Sequence, residues 1–295
     1  MRDLPDPNRL RLLVDVAHHG SIAGAARANN ITASAVSQQI TTLERESGVP
    51  LLERLPRGVA LTAAGEVLAE RGRSLVRLLE ATRGDIDGFD DHLVGRVRIG
   101  TIASAAQEFV LPTLTDLREH HPGIDATVTV AEPQSSLAAL HEGRIDLALV
   151  DVYEHAPMPI PPRVTATTVH REPLVLIGRE PFPEGTTLAD LADAPWVMPP
   201  AEAACGQSVR YACRQAGFEP QVRWETDDLQ LLSRAVAAGQ GVTLLPQLAI
   251  DVDRRGLHTA VPAGARLGRE IRAAVRSGER DRPLLRAIVE ALRAR

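Results

Sequence analysis

The 295-residue chain contains no lysine, so all 33 of its basic residues are arginine. Its two cysteines are too few for the disulfide framework of a small secreted protein. No uninterrupted apolar run is long enough to cross a bilayer, and the N-terminus lacks the basic and apolar pattern of a signal peptide. These absences predict a cytoplasmic protein without a membrane partner.

The net charge of −5 is unevenly distributed along the chain. Residues 1–60 hold seven arginines against six acidic residues, whereas residues 61–92 hold four arginines against seven acidic residues. Since the acidity lies outside the first segment, it does not exclude a nucleic acid as that segment's partner. The chain is 44% hydrophobic and 24% charged, which is typical of a globular protein, and it is long enough for two or three domains.

Three helices are predicted near the N-terminus. The first covers residues 7–18, and the second is a short helix of small side chains over residues 22–28. Thr32 or Ser34 can cap a third helix that ends near Gly48. Helix, short helix, turn and helix is the order of a helix-turn-helix.

The third helix carries two contrasting faces. Val36, Ile40 and Leu43 fall on a narrow apolar face, while the opposite face carries hydroxyls, amides and one arginine. Short side chains that both donate and accept suit base edges in a major groove. The alternative is a solvated face on a small bundle, where Glu and Arg would be more usual than Ser and Thr.

The segment "VPLLERLPRGVALT" predicts a strand, a turn and a second strand, which form a small wing. Its arginines can contact the phosphate backbone beside the third helix. The predicted DNA contacts of the helix and wing together are Ser34, Ala35, Ser37, Gln38, Gln39, Thr41, Thr42, Arg45, Arg54 and Arg57.

A long helix follows the wing, with Thr62 as its predicted cap. Its apolar residues recur along one stripe, which is typical of a helix–helix dimer contact. The alternative is that the stripe packs on the chain's own second half. The members of the stripe are Val67, Leu68, Leu75, Leu78, Leu79 and Ile86.

The run from His18 to Leu68 resembles the N-terminal domain of LysR-type transcriptional regulators. The resemblance rests on "SAVSQQITTLE" as recognition helix, on "GVPLLER", on the wing at Arg57 and Gly58, and on "LTAAGE". Gly24 stands where Ala is usual, and Leu52 stands where Phe is common. Many spaced positions match, so the resemblance does not depend on one short motif.

The second half alternates strands and helices, which predicts α/β units with mostly parallel sheets. The resemblance implies an N-terminal all-α winged helix-turn-helix with a long linker helix, followed by a C-terminal α/β effector domain of two periplasmic-binding-protein-like subdomains. The expected domains are residues 1–61, the linker helix 62–92 and the effector domain 93–295, with subdomain I at about 93–162 and 270–295 and subdomain II at about 163–269. The chain is expected to cross between the subdomains near residues 161–170 and again near 266–272.

The resemblance also implies that a small-molecule effector binds between the two subdomains, where strands end and helices begin. Ser104 is the strongest candidate contact because its loop opens a helix, whose free N–H groups favour an anion. A helix cap is the alternative role for Ser104. A small carboxylate is therefore the preferred effector class. The candidate effector contacts are Thr101, Ile102, Ala103, Ser104, Gln134, Ser135, Met198, Glu202, Thr226 and Pro246.

Other functions remain as alternatives. Cys205 and Cys213 lie where peroxide-sensing relatives carry a redox pair, but their spacing differs and no basic residue adjoins Cys205. A small-molecule binding protein without a DNA role would need the second half alone. The histidines lack metal-ligand spacing, and no catalytic motif occurs, so we predict no metal, no cofactor and no enzyme. The expected partners are a pseudo-palindromic double-stranded DNA site, the effector, RNA polymerase and further copies of the chain in a homodimer or homotetramer.

Overall fold

The computed structural model describes residues 5–55, 58–87, 93–250, 256–265 and 267–295. Internal contacts divide the chain into two compact units, Met1–Gly95 and Arg96–Arg295. This division lies close to the boundary expected between residues 92 and 93. Among the described helices, none combines the length and hydropathy needed to cross a membrane.

The first unit contains the three predicted helices, the wing and the long helix. Each of the first three helices begins at a polar cap: Asp6 accepts from Asn8 N, Ser21 from Gly24 N, and Thr32 from Ala35 N. Thr32 rather than Ser34 caps the third helix, because its β-region backbone directs the side chain back to the first free N–H groups. The elements are α1 (Pro7–His19), α2 (Ile22–Ala28), α3 (Ala33–Ser47), β1 (Leu52–Arg54), β2 (Val59–Leu61) and α4 (Ala63–Asp87).

The apolar face of α3 forms the centre of this unit. Val36, Ile40 and Leu43 are buried there against Leu13 of α1 and Leu51 before the wing. Leu68 and Leu75 of α4 pack partly against the same core. The predicted apolar stripe of α3 is therefore confirmed, and its polar residues face away from the core.

The second unit contains two lobes built from one mixed sheet and a smaller strand pair. Its helices are α5 (Ala103–Ala105), which continues through a π-helical stretch (Ala106–Val110) into α6 (Leu111–His120), then α7 (Pro133–His141), α8 (Ala204–Gln215), α9 (Leu229–Ala237) and α10 (Pro283–Arg293). Its strands are β3 (Gly95–Thr101), β4 (Ile124–Val130), β5 (Leu147–Tyr153), β6 (Val164–Gly178), β7 (Pro195–Met198), β8 (Gln221–Glu225), β9 (Thr243–Pro246), β10 (His258–Ala260) and β11 (Gly268–Arg276).

Two long strands connect the lobes. The first part of β6, Val164–Pro173, pairs with β11, whereas Leu174–Ile177 pairs with β9 and Leu176–Gly178 with β10. The change of partner at Pro173 lies slightly beyond the crossing expected near residues 161–170. The chain returns through Leu267 into β11, within the expected range.

We call β3, β4, β5, β11 and the first part of β6 the first lobe, with α5, α6, α7 and α10. The second lobe comprises the rest of β6 with β7–β10, α8 and α9. Strand pairing is mixed rather than mostly parallel: β3 with β5 and β7 with β8 run parallel, but β11 runs antiparallel to both β5 and β6. The expectation was wrong on this point because the two connecting strands run in opposite directions within one sheet.

The start of α4 depends on a glycine. A Cβ atom on Gly65 would lie 2.1 Å from the carbonyl oxygen of Leu51, which accepts a hydrogen bond from Thr62 N. On the same helix, a Cβ atom on Gly72 would lie 3.1 Å from a methyl group of Val14 and 3.2 Å from the carbonyl oxygen of Leu10, which are milder contacts than the one at Gly65.

We expect Gly65→Ala to destabilise the first unit by about 2 kcal/mol, because backbone must move to admit the methyl group. Gly72→Ala is the matched control and should destabilise the unit clearly less, because its contacts are milder and the gain in helix propensity offsets part of their cost. Thermal unfolding followed by circular dichroism measures both. Tryptophan fluorescence gives an internal reference, since Trp196 and Trp224 both belong to the second unit. Equal effects of the two variants would contradict the prediction.

Candidate functional site

The outer face of α3 presents the predicted polar residues. Ser34, Gln38, Gln39, Thr41 and Arg45 are exposed, and Ala35, Ser37 and Thr42 are half-buried. Within the described residues, the side chains of Ser34 and Gln38 make no hydrogen bond to the protein. A hydroxyl and an amide are thus free to donate to and accept from an external partner.

Some of these side chains already have partners inside the unit. Thr41 and Thr42 donate their hydroxyls to the carbonyls of Ser37 and Gln38 one turn earlier, which leaves the lone pairs of their oxygens to accept from an external partner. Gln39 accepts from Nε of Arg9 at 2.9 Å.

Arg9 was not predicted to contribute to this face. It lies on α1 and also binds the carboxylate of Glu46, so it links α1 to two turns of α3. Arg9 lies on α1 beside its apolar residues, and no pattern in the sequence indicates that its side chain reaches α3. Arg9 therefore fixes the orientation of the exposed face.

The wing is attached firmly to the helices. Glu44 of α3 accepts from the backbone N–H groups of Leu51 and Leu52, and Val59 N donates to the carbonyl of Gly20. Gly58 has a φ of +99°, and a Cβ atom there would lie 2.6 Å from the Gly20 oxygen. Of the predicted wing contacts, Arg57 and the side chain of Arg54 lie outside the described residues.

The second unit contains a cleft of about 660 Å³ between its two lobes. This volume is in the range of small-molecule sites. Five of the predicted effector contacts line it, namely Ile102, Ala103, Ser104, Gln134 and Glu202. The lobes are joined across the cleft by a hydrogen bond from Gln230 Nε2 to Gln107 Oε1 at 3.1 Å.

The other five predicted contacts do not line the cleft. Thr101, Met198 and Pro246 end their strands with side chains buried in the lobe cores, because strand ends here remain part of the sheet. Thr226 accepts a hydrogen bond from Asp228 N, which fixes the turn before α9. Ser135 is exposed on α7 away from the cavity lining.

The floor of the cleft contains a buried arginine that the sequence did not indicate. Arg269 of β11 is 1% exposed and donates through Nε to Glu172 of β6 at 2.9 Å. Its Nη1 donates to Ser104 Oγ at 3.0 Å and lies 3.5 Å from Asp151 Oδ2. Glu172 in turn accepts from Leu248 N in the second lobe at 2.8 Å.

This network joins both connecting strands to loops of both lobes. Ser104 is therefore a partner of Arg269 as well as a residue of the cleft wall. Neither Arg269 nor Glu172 was predicted, because charged residues inside a strand pattern are ordinarily assigned to a solvated face.

The lining also includes carboxylates that were not predicted. Asp151 lies on the floor, Glu132 on the first lobe, and Asp227 with Asp228 on the second. Burial raises the pKa of Asp151 above its ordinary value, although Arg269 lies beside it. Burial also raises the pKa of Glu132, and the negative charges of Asp151 and Asp227 raise it further.

The two cysteines are buried, free and on the same helix, α8. Eight residues of helix separate them by about 12 Å, well beyond the Cα separation that a disulfide spans. Burial raises the pKa of each thiol to about 12, so both are protonated at neutral pH. A peroxide-reactive thiolate therefore has no support in this geometry.

No group of three or more His, Cys, Asp or Glu residues within the described ranges is arranged to hold a metal ion.

Two family models match the chain. Residues 7–66 match the bacterial regulatory helix-turn-helix protein of the lysR family, and residues 90–295 match the LysR substrate binding domain. Among curated proteins, a "Probable hydrogen peroxide-inducible genes activator" of Mycobacterium avium is 31% identical over 280 residues, which cover 91% of this chain and 87% of that protein. The nitrogen assimilation regulatory protein nac of Klebsiella aerogenes is 30% identical and covers 82% of this chain and 78% of its own length.

Solved structures show the same fold. Full-length OxyR from Pseudomonas aeruginosa superposes with a TM-score of 0.78 at 18% identity, covering 99% of this chain and 95% of that one. Full-length CbnR in complex with its target DNA superposes with a TM-score of 0.62 at 22% identity, covering 98% of this chain and 99% of that one.

We expect Glu172→Gln to destabilise the second unit by about 3 kcal/mol or more, because it leaves the buried Arg269 charge poorly compensated. Glu270→Gln on the neighbouring strand is the control. Glu270 pairs with Arg171 and Arg272 near the surface, so its loss should cost less than about 1 kcal/mol. Urea unfolding followed by tryptophan fluorescence compares them, and similar losses would show that Glu172 does not have the predicted role.

We expect both thiols to react with a disulfide reagent far more slowly in the folded protein than in concentrated guanidinium. Hydrogen peroxide should leave DNA binding unchanged in the wild type and in Cys205→Ser and Cys213→Ser alike. A wild-type response to peroxide that either substitution removes would overturn this prediction. Gel-shift titration before and after peroxide treatment measures the outcome.

Proposed function

The chain belongs to the family of LysR-type transcriptional regulators, and we propose that it reads a specific DNA site through α3 under the control of a small molecule in the interlobe cleft. The observation that carries the DNA-reading role is the outer face of α3. Ser34 and Gln38 stand exposed there without a protein partner among the described residues, on a helix held firmly by Arg9 and Glu44.

The chemistry of this face suits a major groove. The amide of Gln38 can pair with two atoms of an adenine edge, and threonine methyl groups such as those of Thr41 and Thr42 can contact thymine. Arg45, exposed in the last turn, is placed to contact a phosphate rather than a base. Arg54 and Arg57 of the wing are proposed as further phosphate contacts.

The first segment is nearly neutral, so phosphate attraction to one copy is modest. High affinity then needs several copies bound at once, which multiplies weak contacts through effective concentration. A dimer would place two α3 helices in successive major grooves of a pseudo-palindrome.

We propose α4 as the dimer contact. Val67 and Leu78 are 61% and 63% exposed, and Leu79 is 54% exposed, which leaves an apolar surface on a 25-residue helix. Such exposure of large apolar side chains is typical of a protein–protein contact.

A second contact between effector domains would assemble a homotetramer. The edge strand β4 exposes Val128 and Val130, while β8 exposes Val222 and Trp224. We propose that these two apolar strands meet between neighbouring copies.

RNA polymerase is proposed as the partner of the assembled regulator.

Control by a ligand needs two arrangements of the lobes with different affinity for it. The cleft is lined by both lobes, and its floor is the Arg269 network that reaches both connecting strands. Ligand binding there would change the lobe arrangement and, through it, the spacing between the α3 helices of neighbouring copies.

A small-molecule binding protein without a DNA role is disfavoured by the family match of residues 7–66. The named relatives are regulators, which favours a binding role over an enzymatic one. The proposed location is the cytoplasm, where the DNA is.

We expect full-length protein to retard DNA from upstream of its own gene selectively over scrambled DNA at fixed salt. Gln38→Ala should reduce this selectivity by about 1–3 kcal/mol, because a base contact is lost. Arg45→Ala should instead weaken binding to both DNAs and reduce the slope of log binding constant against log salt concentration by about one. Gel-shift titrations at several salt concentrations measure both variants. A Gln38→Ala protein with unchanged selectivity would refute the base-reading role.

We expect Leu78→Glu to halve the mass of the assembly, because the α4 contact would then bury an unpaired carboxylate. The control is Glu70→Lys, a charge change at another exposed position of α4. Light scattering after size exclusion gives the mass of each variant. Retention of the wild-type mass by Leu78→Glu would show that copies associate elsewhere.

A further inference from the structure

The cleft carries a large excess of negative charge. Its lining contains five acidic residues, which are Glu132, Asp151, Glu202, Asp227 and Asp228, against Arg269 as the one cation among the described lining residues. Arg269 is 1% exposed and already donates to Glu172 and to Ser104. It therefore has little capacity left for a ligand, and no accessible cation of the described lining awaits an anion.

Helix capping explains part of this charge but not all of it. Asp228 caps α9 by accepting from Gln230 N and Leu231 N at 3.0 Å each. Glu132 occupies the corresponding position before α7, yet its side chain makes no capping hydrogen bond. Its carboxylate is consequently available to the cleft rather than used by its own helix.

Two other carboxylates lie close enough to Glu132 to affect it. Glu132 belongs to the first lobe, Asp227 to the second and Asp151 to the floor. The pKa of Glu132 is raised by partial burial and then by the negative charges of Asp151 and Asp227, so a positive charge beside Glu132 would be attracted by all three. Asp151 is 8% exposed, and its nearest guanidinium nitrogen lies 3.5 Å away on an arginine bound more closely by Glu172.

Repulsion of this kind can be relieved by a metal ion or by an organic cation. The described carboxylates are not clustered closely enough to ligate a metal ion. The cleft, by contrast, has about 660 Å³ of space, which is ample for a small organic molecule. The site is thus defined by the cavity itself, and the carboxylates decide its chemistry.

We propose that the effector is a small organic cation, with amine or guanidinium groups bound between Glu132 of the first lobe, Asp227 of the second and Asp151 on the floor. This inference rests on the proposed function, since it names the class of ligand for the same cleft. It replaces the carboxylate expected from the helix N-terminus at Ala103.

A cation in this position also supplies a mechanism for control. With the cleft empty, Glu132 and Asp227 repel each other and oppose closure of the lobes. A bound cation attracts both carboxylates and favours the closed arrangement, beside the Gln107–Gln230 hydrogen bond that already joins the lobes. The ligand therefore has the difference in affinity between arrangements that a regulatory effector requires.

The test uses full-length protein without DNA and four probes: 1,4-diaminobutane, agmatine, the neutral 1,4-butanediol and the dianion succinate. Tryptophan fluorescence reports the thermal unfolding of the second unit. We expect diaminobutane or agmatine to raise Tm by about 3 °C or more at saturation, with no shift from butanediol or succinate.

Calorimetric titration then compares variants. Glu132→Gln and Asp227→Asn should each weaken binding of the amine about tenfold or more, because a charge-assisted contact is lost. Both should raise the Tm of the ligand-free protein, since repulsion is relieved. Glu108→Gln, exposed and outside the cleft lining, is the matched control and should bind as the wild type does.

Three results would overturn the inference. Stabilisation by succinate with no effect of the amines would mean that the cleft binds an anionic effector instead of a cationic one. Amine binding that is equal in the wild type and both cleft variants would place the amine elsewhere. No shift with either amine would reject the cationic class. Selective gel retardation of upstream DNA by the same preparation tests the proposed DNA-reading function separately from all three.

Discussion

The buried ion pair between Arg269 and Glu172 is the constraint on which the arrangement of the second unit depends. Each partner lies on one of the two strands that connect the lobes, and both are almost fully buried. Removing two charges from water is costly, so the pair persists only where hydrogen bonds satisfy it fully. Ser104 from the first lobe and Leu248 from the second supply those bonds. The floor of the cleft is consequently tied to both lobes, so a ligand bound above it would lie against this connection.

The fold of the first unit could be predicted in detail because its signals are local. Thr32 caps α3 within three residues, Val36, Ile40 and Leu43 repeat at helical spacing, and Gly58 provides the positive φ of the wing. The cleft was predicted less well, because its residues are assembled from strands distant in sequence. Ser104 and Gln134 follow strands and were found, whereas Met198 and Pro246 also end strands but face the core. Burial of Arg269 has no local sequence pattern, since its partner Glu172 is 97 residues away.

The two units differ in how their charged residues are distributed. The near-neutral first segment offers little general attraction to phosphate, so the proposed function assigns DNA affinity to specific contacts and to several copies bound at once. The cleft of the second unit concentrates carboxylates, and the negative charges of Asp151 and Asp227 raise the pKa of Glu132. Part of the chain's negative charge thus has a specific place, which the proposed cationic effector would use. The two thiols are buried, protonated and held apart by α8, so they contribute neither to the cleft chemistry nor to the proposed control.

The outer face of α3 is proposed to read DNA sequence in a multimeric regulator. Selection of binding sites from a random duplex library by the full-length protein tests it most directly, because it does not presuppose an operator. We expect enrichment of an inverted repeat whose half-sites are centred about 10 base pairs apart. Recovered sequences with no shared motif, at salt concentrations where the protein still binds DNA, would contradict it.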